Sequence, residues 1–107
     1  MITMQKISLF SADELSPGDV RQVMLDEREP IAIYNLNGEF YATDDTCSHG
    51  EASLAEGDIE GDEIICPFHM GAFDIRTGEA TVAPCIAAIA TYAVSIEDGM
   101  VVVELPA

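Results

Sequence analysis

Apolar and polar residues along this chain fall into short runs of period two, broken at close intervals by Gly, Pro, Asn and Asp. That pattern predicts strands and turns. Met4 to Phe10 alternates as a first strand with Ile7 and Leu9 on one face, and Ser11 to Asp19 is a loop with one helical turn at Ala12 to Leu15. Val20 to Leu25 is a second strand, ended by the polar run that leads to Pro30. Ile31 to Leu36, Asn37-Gly38 and Glu39 to Thr43 make the clearest local unit. An Asn-Gly pair favours positive φ at both turn positions and closes a two-residue hairpin. Tyr34, Phe40 and Tyr41 are its candidate cross-strand aromatic contacts.

Beyond the hairpin the alternation weakens. Asp44 to Gly50 reads as a loop, and Glu51 to Gly61 as an acidic connection with a short strand near Asp58 to Glu60. Glu63 to Cys66 and Ala72 to Ile75 are strands flanking a second loop, Cys66 to Gly71, and Arg76 to Gly78 is a turn. Thr81 to Ile86 is extended and interrupted by Pro84. Ile89 to Glu97 alternates through Tyr92, Val94 and Ile96, Asp98-Gly99 turns, and Met100 to Leu105 returns with Val101, Val103 and Leu105 on one face. Many short strands and no long helix predict an all-β sandwich or barrel. Residues 1 to 43 and 85 to 107 are expected to form a scaffold, with an inserted subdomain at about 44–84. At 107 residues the whole is one domain.

Composition narrows the function. A hydrophobic content of 49% suits a folded chain. No apolar run approaches the ~20 residues of a membrane helix, and no basic-then-apolar leader opens the sequence, so the expected location is the cytoplasm. Acidic side chains outnumber basic ones 20 to 4, for a formal net charge of −16. Nucleic acid and anionic membranes would repel such a surface. No Lys or Arg lies between Arg28 and Arg76, while Asp44, Asp45, Glu51, Glu56, Asp58, Glu60, Asp62, Glu63 and Asp74 crowd that interval. Acidity can serve solubility alone, but this clustering favours the steering of a basic partner.

The same interval holds the candidate chemistry. Cys47-Ser-His49-Gly is followed, with sixteen residues between His49 and Cys66, by Cys66-Pro-Phe-His69-Met-Gly. Both histidines of the chain and two of its three cysteines are used. Each loop offers one thiolate and one imidazole, and two such loops facing each other make a four-ligand site. Zinc is the competing occupant, since Cys₂His₂ is a common structural zinc set, although its pairs are usually spaced by two or more residues. If each loop gives its Cys to one iron and its His to the other, the loops build an asymmetric [2Fe–2S] cluster. Two thiolates leave the oxidised unit neutral where four would make it a dianion, so an added electron costs less and the potential rises, to roughly −150 to +300 mV.

Cys47-x-His49 and Cys66-x-x-His69 resemble the ligand motif of Rieske iron–sulfur proteins. The similarity continues through Pro67 to Phe73, the Arg76-Thr-Gly turn and the Pro84 loop. It implies three small antiparallel sheets, with one cluster held by Cys47, His49, Cys66 and His69 at the tip of an inserted subdomain. Chain size is similar to that of free-standing Rieske ferredoxins of bacterial aromatic-ring dioxygenases. That likeness implies a one-electron carrier between a flavin-containing ferredoxin reductase and a terminal oxygenase, itself no enzyme and expected to be a monomer. Competing readings are a small Rieske subunit of an assimilatory nitrite reductase and a zinc-stabilised structural module. Respiratory Rieske proteins carry a disulfide between their ligand loops, and Ser and Tyr hydroxyls at the positions of Gly71 and Phe73. Neither is present here, which places the expected potential toward the low end.

Among the neighbours, Phe68 and Met70 either shield the cluster or centre a docking patch. Ser48 is either a hydrogen-bond donor near the cluster or a plain loop residue. Pro67, Gly50 and Gly71 are read as shaping the backbone. Cys85, after Pro84, is read as a small buried hydrophobe beside the cluster rather than a ligand or a redox switch.

Overall fold

The Asn37-Gly38 turn forms as the sequence predicts, with both residues at positive φ (54° and 95°). It is exposed at the end of a hairpin in the structure, a computed structural model that describes residues 3–26, 28–48, 52–68 and 70–106. Eleven strands occur among the described residues: β1 (Met4–Ser11), β2 (Val20–Val23), β3 (Ile31–Leu36), β4 (Glu39–Asp44), β5 (Asp58–Glu60), β6 (Glu63–Ile65), β7 (Ala72–Asp74), β8 (Ala80–Val82), β9 (Thr91–Tyr92), β10 (Val94–Glu97) and β11 (Met100–Pro106). Single 3-10 turns lie at Ala12–Glu14 and Leu54–Glu56. All pairings are antiparallel, in three sheets ordered β1-β11-β10, β2-β3-β4-β9 and β5-β6-β7-β8. The all-β expectation holds, as do the three small sheets implied by the resemblance.

β3 explains how the sheets stack. All six of its residues are buried, because its two faces enter two different cores. Ile31 and Ile33 join Phe10, Leu15, Ala42, Val101, Val103 and Leu105 beneath the β1-β11-β10 sheet. Ala32, Tyr34 and Leu36 join Leu54, Ile64, Phe73 and Ile75 beneath the β5-β8 sheet. Period-two alternation of apolar residues on both parities is what a strand buried on both faces requires. Tyr34 and Tyr41 are direct cross-strand partners, whereas Phe40 faces Asn35 and packs in the other core.

Some boundaries differ from those predicted. β2 stops at Val23 rather than Leu25, because its partner β3 begins at Ile31 and Met24 and Leu25 find no ladder. In β1 the register slips between Ser8 and Phe10. This bulge turns Phe10 inward, where strict alternation would have exposed it. Ile96, which alternates with Tyr92 and Val94, is 46% exposed, since β10 is an outer strand of its sheet. No helix among the described residues is long and apolar enough to cross a membrane.

Candidate metal centre

Three loops converge at the cysteines. The first follows β4, and its ends are tied by the Cys47 N–H donating to the Ala52 carbonyl (3.0 Å) and by a bridge between Thr46 and Ser53. The second follows β6 and closes where the Cys66 N–H donates to the Gly71 carbonyl (2.7 Å). Met70 stands at φ 61° within it, a left-handed conformation that non-glycine residues seldom adopt. The third follows β8 and carries Cys85, whose N–H donates to the Val82 carbonyl (3.2 Å).

Cys47, Cys66 and Cys85 are all buried, and their Sγ atoms lie within 4.8 Å of one another. The structure thus brings together the two predicted cysteine ligands and adds a third thiol, with the Cys47 and Cys85 sulfurs 3.7 Å apart. The predicted histidine ligands, His49 and His69, lie outside the described residues, as does Gly50. Cys85 is buried in the core beside the other two cysteines, as expected. Gly71 makes room for it, because a Cβ there would come within 2.5 Å of the Cys85 sulfur.

Burial sets the chemistry of these sulfurs. It pushes the Cys85 thiol up to about 12, with the hydrogen bond to Cys47 adding to the effect. Cys66 is raised too, by burial first and its interaction with Cys47 next, while a backbone hydrogen bond from Phe68 works against the rise. Thiols in so apolar a pocket become thiolates when a cation is present to pair with them. Two facing sulfurs drawn from two tight loops fit the thiolate side of an iron centre.

Sequence reading missed what holds the first loop. Asp45 was counted in the acidic field, yet it is 1% exposed. Its Oδ2 accepts from Gln22 Nε2 and Ser53 Oγ, both at 2.7 Å, and its Oδ1 accepts from the Ala55 N–H at 3.0 Å. The Asp45 carbonyl also accepts from the Leu54 N–H (2.7 Å). A carboxylate placed two residues before a candidate ligand cysteine, with Ser53 near the loop's other end, was the available signal. Ser48 follows the first of its two readings, as a hydrogen-bond donor beside the cysteines. Its hydroxyl donates to the Ala87 carbonyl (2.5 Å), latching the first loop to the third.

Around the thiols the surface is apolar at the centre and acidic beyond. Phe68, Met70, Val82 and Ile86 are exposed, Ile86 to 87%. Each of the four Lys and Arg side chains is engaged by a carboxylate: Lys6 by Glu97, Arg21 by Glu14, Arg28 by Asp44 and Arg76 by Asp62. The remaining acidic charge is therefore not locally neutralised.

This fold, with paired cysteine loops on an insert between sheet strands, defines a class. The chain belongs to the Rieske [2Fe–2S] domain family, whose model matches residues 5–93. Membership decides the choice left open between zinc and an iron–sulfur cluster: the domain binds one [2Fe–2S] cluster. Among its relatives, the ferredoxin component of the p-cumate 2,3-dioxygenase system of Pseudomonas putida is 44% identical, over 94% of this chain and 86% of that protein. Sphingomonas yanoikuyae B1 ferredoxin superposes with a TM-score of 0.90 at 41% identity, covering 95% of this chain and all (100%) of that one. A chain from the complex of reduced oxygenase and oxidised ferredoxin of carbazole 1,9a-dioxygenase gives 0.89 at 41% identity, covering 92% and 91%.

Proposed function

We propose that this protein is the electron-carrying ferredoxin of a multicomponent aromatic-ring dioxygenase system. The observation that carries the reading is the pair of buried, facing thiols of Cys47 and Cys66 in a chain of this family. Cys47 and Cys66 hold one iron, and His49 and His69 hold the other, within a cluster-binding subdomain of about residues 44–84. The cluster supplies a one-electron couple whose potential is raised by histidine ligation. The chain's own residues do the rest. The buried thiols exclude water from the sulfur side, and Phe68 and Met70 leave an apolar surface where a partner can approach closely. Unpaired carboxylates around it steer a basic surface into a brief encounter.

In this reading the electron comes from a flavin-containing reductase and goes to a terminal oxygenase, to which the carrier docks in turn. It works as a monomer in the cytoplasm, and substrate oxidation takes place on the oxygenase. Low-temperature EPR before and after dithionite, with iron and acid-labile sulfide assayed on the same sample, tests it. A rhombic Rieske-type signal appearing only on reduction, with two irons and two sulfides per chain, is expected. A colourless protein holding one zinc would overturn it.

A further inference from the structure

We propose that Cys85 tunes the redox centre by donating its S–H to the Cys47 sulfur, so that the iron ligand carries a hydrogen bond from a thiol that is itself no ligand. This rests on the reading of Cys47 as an iron ligand. The two sulfurs lie 3.7 Å apart in a buried setting, within S–H···S range. Once Cys47 is an iron-bound thiolate it has no proton to give, so Cys85 is the donor and Cys47 the acceptor.

The surroundings hold the donor in place. Gly71 leaves the room that the Cys85 thiol takes up, and the Cys85 N–H is fixed on the Val82 carbonyl. Two residues on, the Ala87 carbonyl receives the Ser48 hydroxyl, clamping the third loop onto the loop of Cys47. A chance packing neighbour needs neither a cleared glycine nor a latch. Hydrogen bonds to cluster sulfurs favour the reduced, more negative state, so this one raises the potential. A thiol is a weak donor, so the rise is modest.

The test compares wild type with Cys85→Val, Cys85→Ala and Cys85→Ser as holoproteins, by iron and sulfide content, midpoint potential and deuterium ENDOR of the reduced cluster after exchange into D₂O. Valine keeps the volume without a donor, and serine keeps a donor. All three are expected to retain the cluster. Valine and alanine should lower the reduced-to-oxidised ratio at a fixed poise by roughly three- to tenfold, tenfold being about 59 mV for one electron. Serine should return toward wild type, and one exchangeable coupling should vanish in valine and alanine alone. Unshifted potentials in valine and alanine with intact clusters would overturn the proposal, as would loss of iron in both valine and serine. Cys47→Ala separates this from the ligand reading. Loss of its cluster, beside intact Cys85 variants, supports that reading, and an intact cluster there removes it.

Discussion

Asp45 is where the scaffold grips the loop of Cys47, and replacing it with alanine should loosen both. Three hydrogen bonds disappear, from Gln22, Ser53 and the Ala55 amide. Bonds to a charged acceptor contribute about 1.5–3 kcal/mol each, but losses repaired by water count for much less. Gln22 is exposed and Ser53 partly so, hence both can turn to solvent. The Ala55 amide is tied to the backbone and cannot turn away. About 2 kcal/mol for that amide and about 1 kcal/mol for the other two together give a loss of roughly 3 kcal/mol. For a domain of this size that lowers the melting temperature by roughly 12–18 °C. Asp45→Asn should fall between, since Oδ1 still accepts from Ala55 while its amide meets the Gln22 amide donor to donor. Thermal melts followed by circular dichroism, with iron content per chain, provide the check. A melt of Asp45→Ala within about 3 °C of wild type, or an asparagine variant as damaged as alanine, would refute this account of the loop.

Three further outcomes are expected. Gly57→Ala drives a Cβ onto the Ile65 carbonyl and toward that of Leu54. Both are backbone, so it should cost about 1–3 kcal/mol in melts and reduce iron retention at neighbouring Cys66. Tyr34 has its hydroxyl pushed above the ordinary tyrosine range by burial, with the Asp45 and Asp44 charges adding to the rise against the Thr43 hydrogen bond. Above about pH 10 the unfolded chain loses this proton while the native state keeps it, so stability present below pH 10 falls by about 1.4 kcal/mol per pH unit. Urea midpoints from pH 9 to 11.5 should show a limb shallower by one proton in Tyr34→Phe, and an unchanged slope would contradict the assignment. Electron transfer to a basic partner should slow as ionic strength rises, because the carboxylate field is screened within about 10 Å at 0.1 M salt. A flat salt dependence in stopped-flow traces would remove the steering role.

Local chemistry was legible wherever a few neighbouring residues determine the outcome. The Asn37-Gly38 and Asp98-Gly99 turns, both at positive φ, needed nothing beyond their own sequence. Spacing alone brought Cys47 and Cys66 into one site, and the thiols do face each other. What could not be read depended on distant partners. Asp45 looked like any other exposed acid until Gln22 came from β2, 23 positions away, to meet it. Phe10 was hidden by a bulge that exists only because β1 pairs with β11. Cys85 lies 38 positions from Cys47, and no local pattern states that the two sulfurs touch.

The insert has one further consequence. It leaves at the end of β4 and returns at β9, and these two strands are paired neighbours, Thr43 opposite Thr91 and Ala42 opposite Tyr92. Asp44 and Ala90 close the neck with hydrogen bonds in both directions, amide to carbonyl and amide to carboxylate. Seen from the scaffold, the entire excursion is one long hairpin loop. Its own strands, β5 to β8, pair only with one another, so no register of the other two sheets runs through them. Staying folded and gripping a metal remain joined in this chain, because the excursion's sheet covers Ala32, Tyr34 and Leu36 of β3, and a redesigned loop grafted between Asp44 and Ala90 would have to cover that face again.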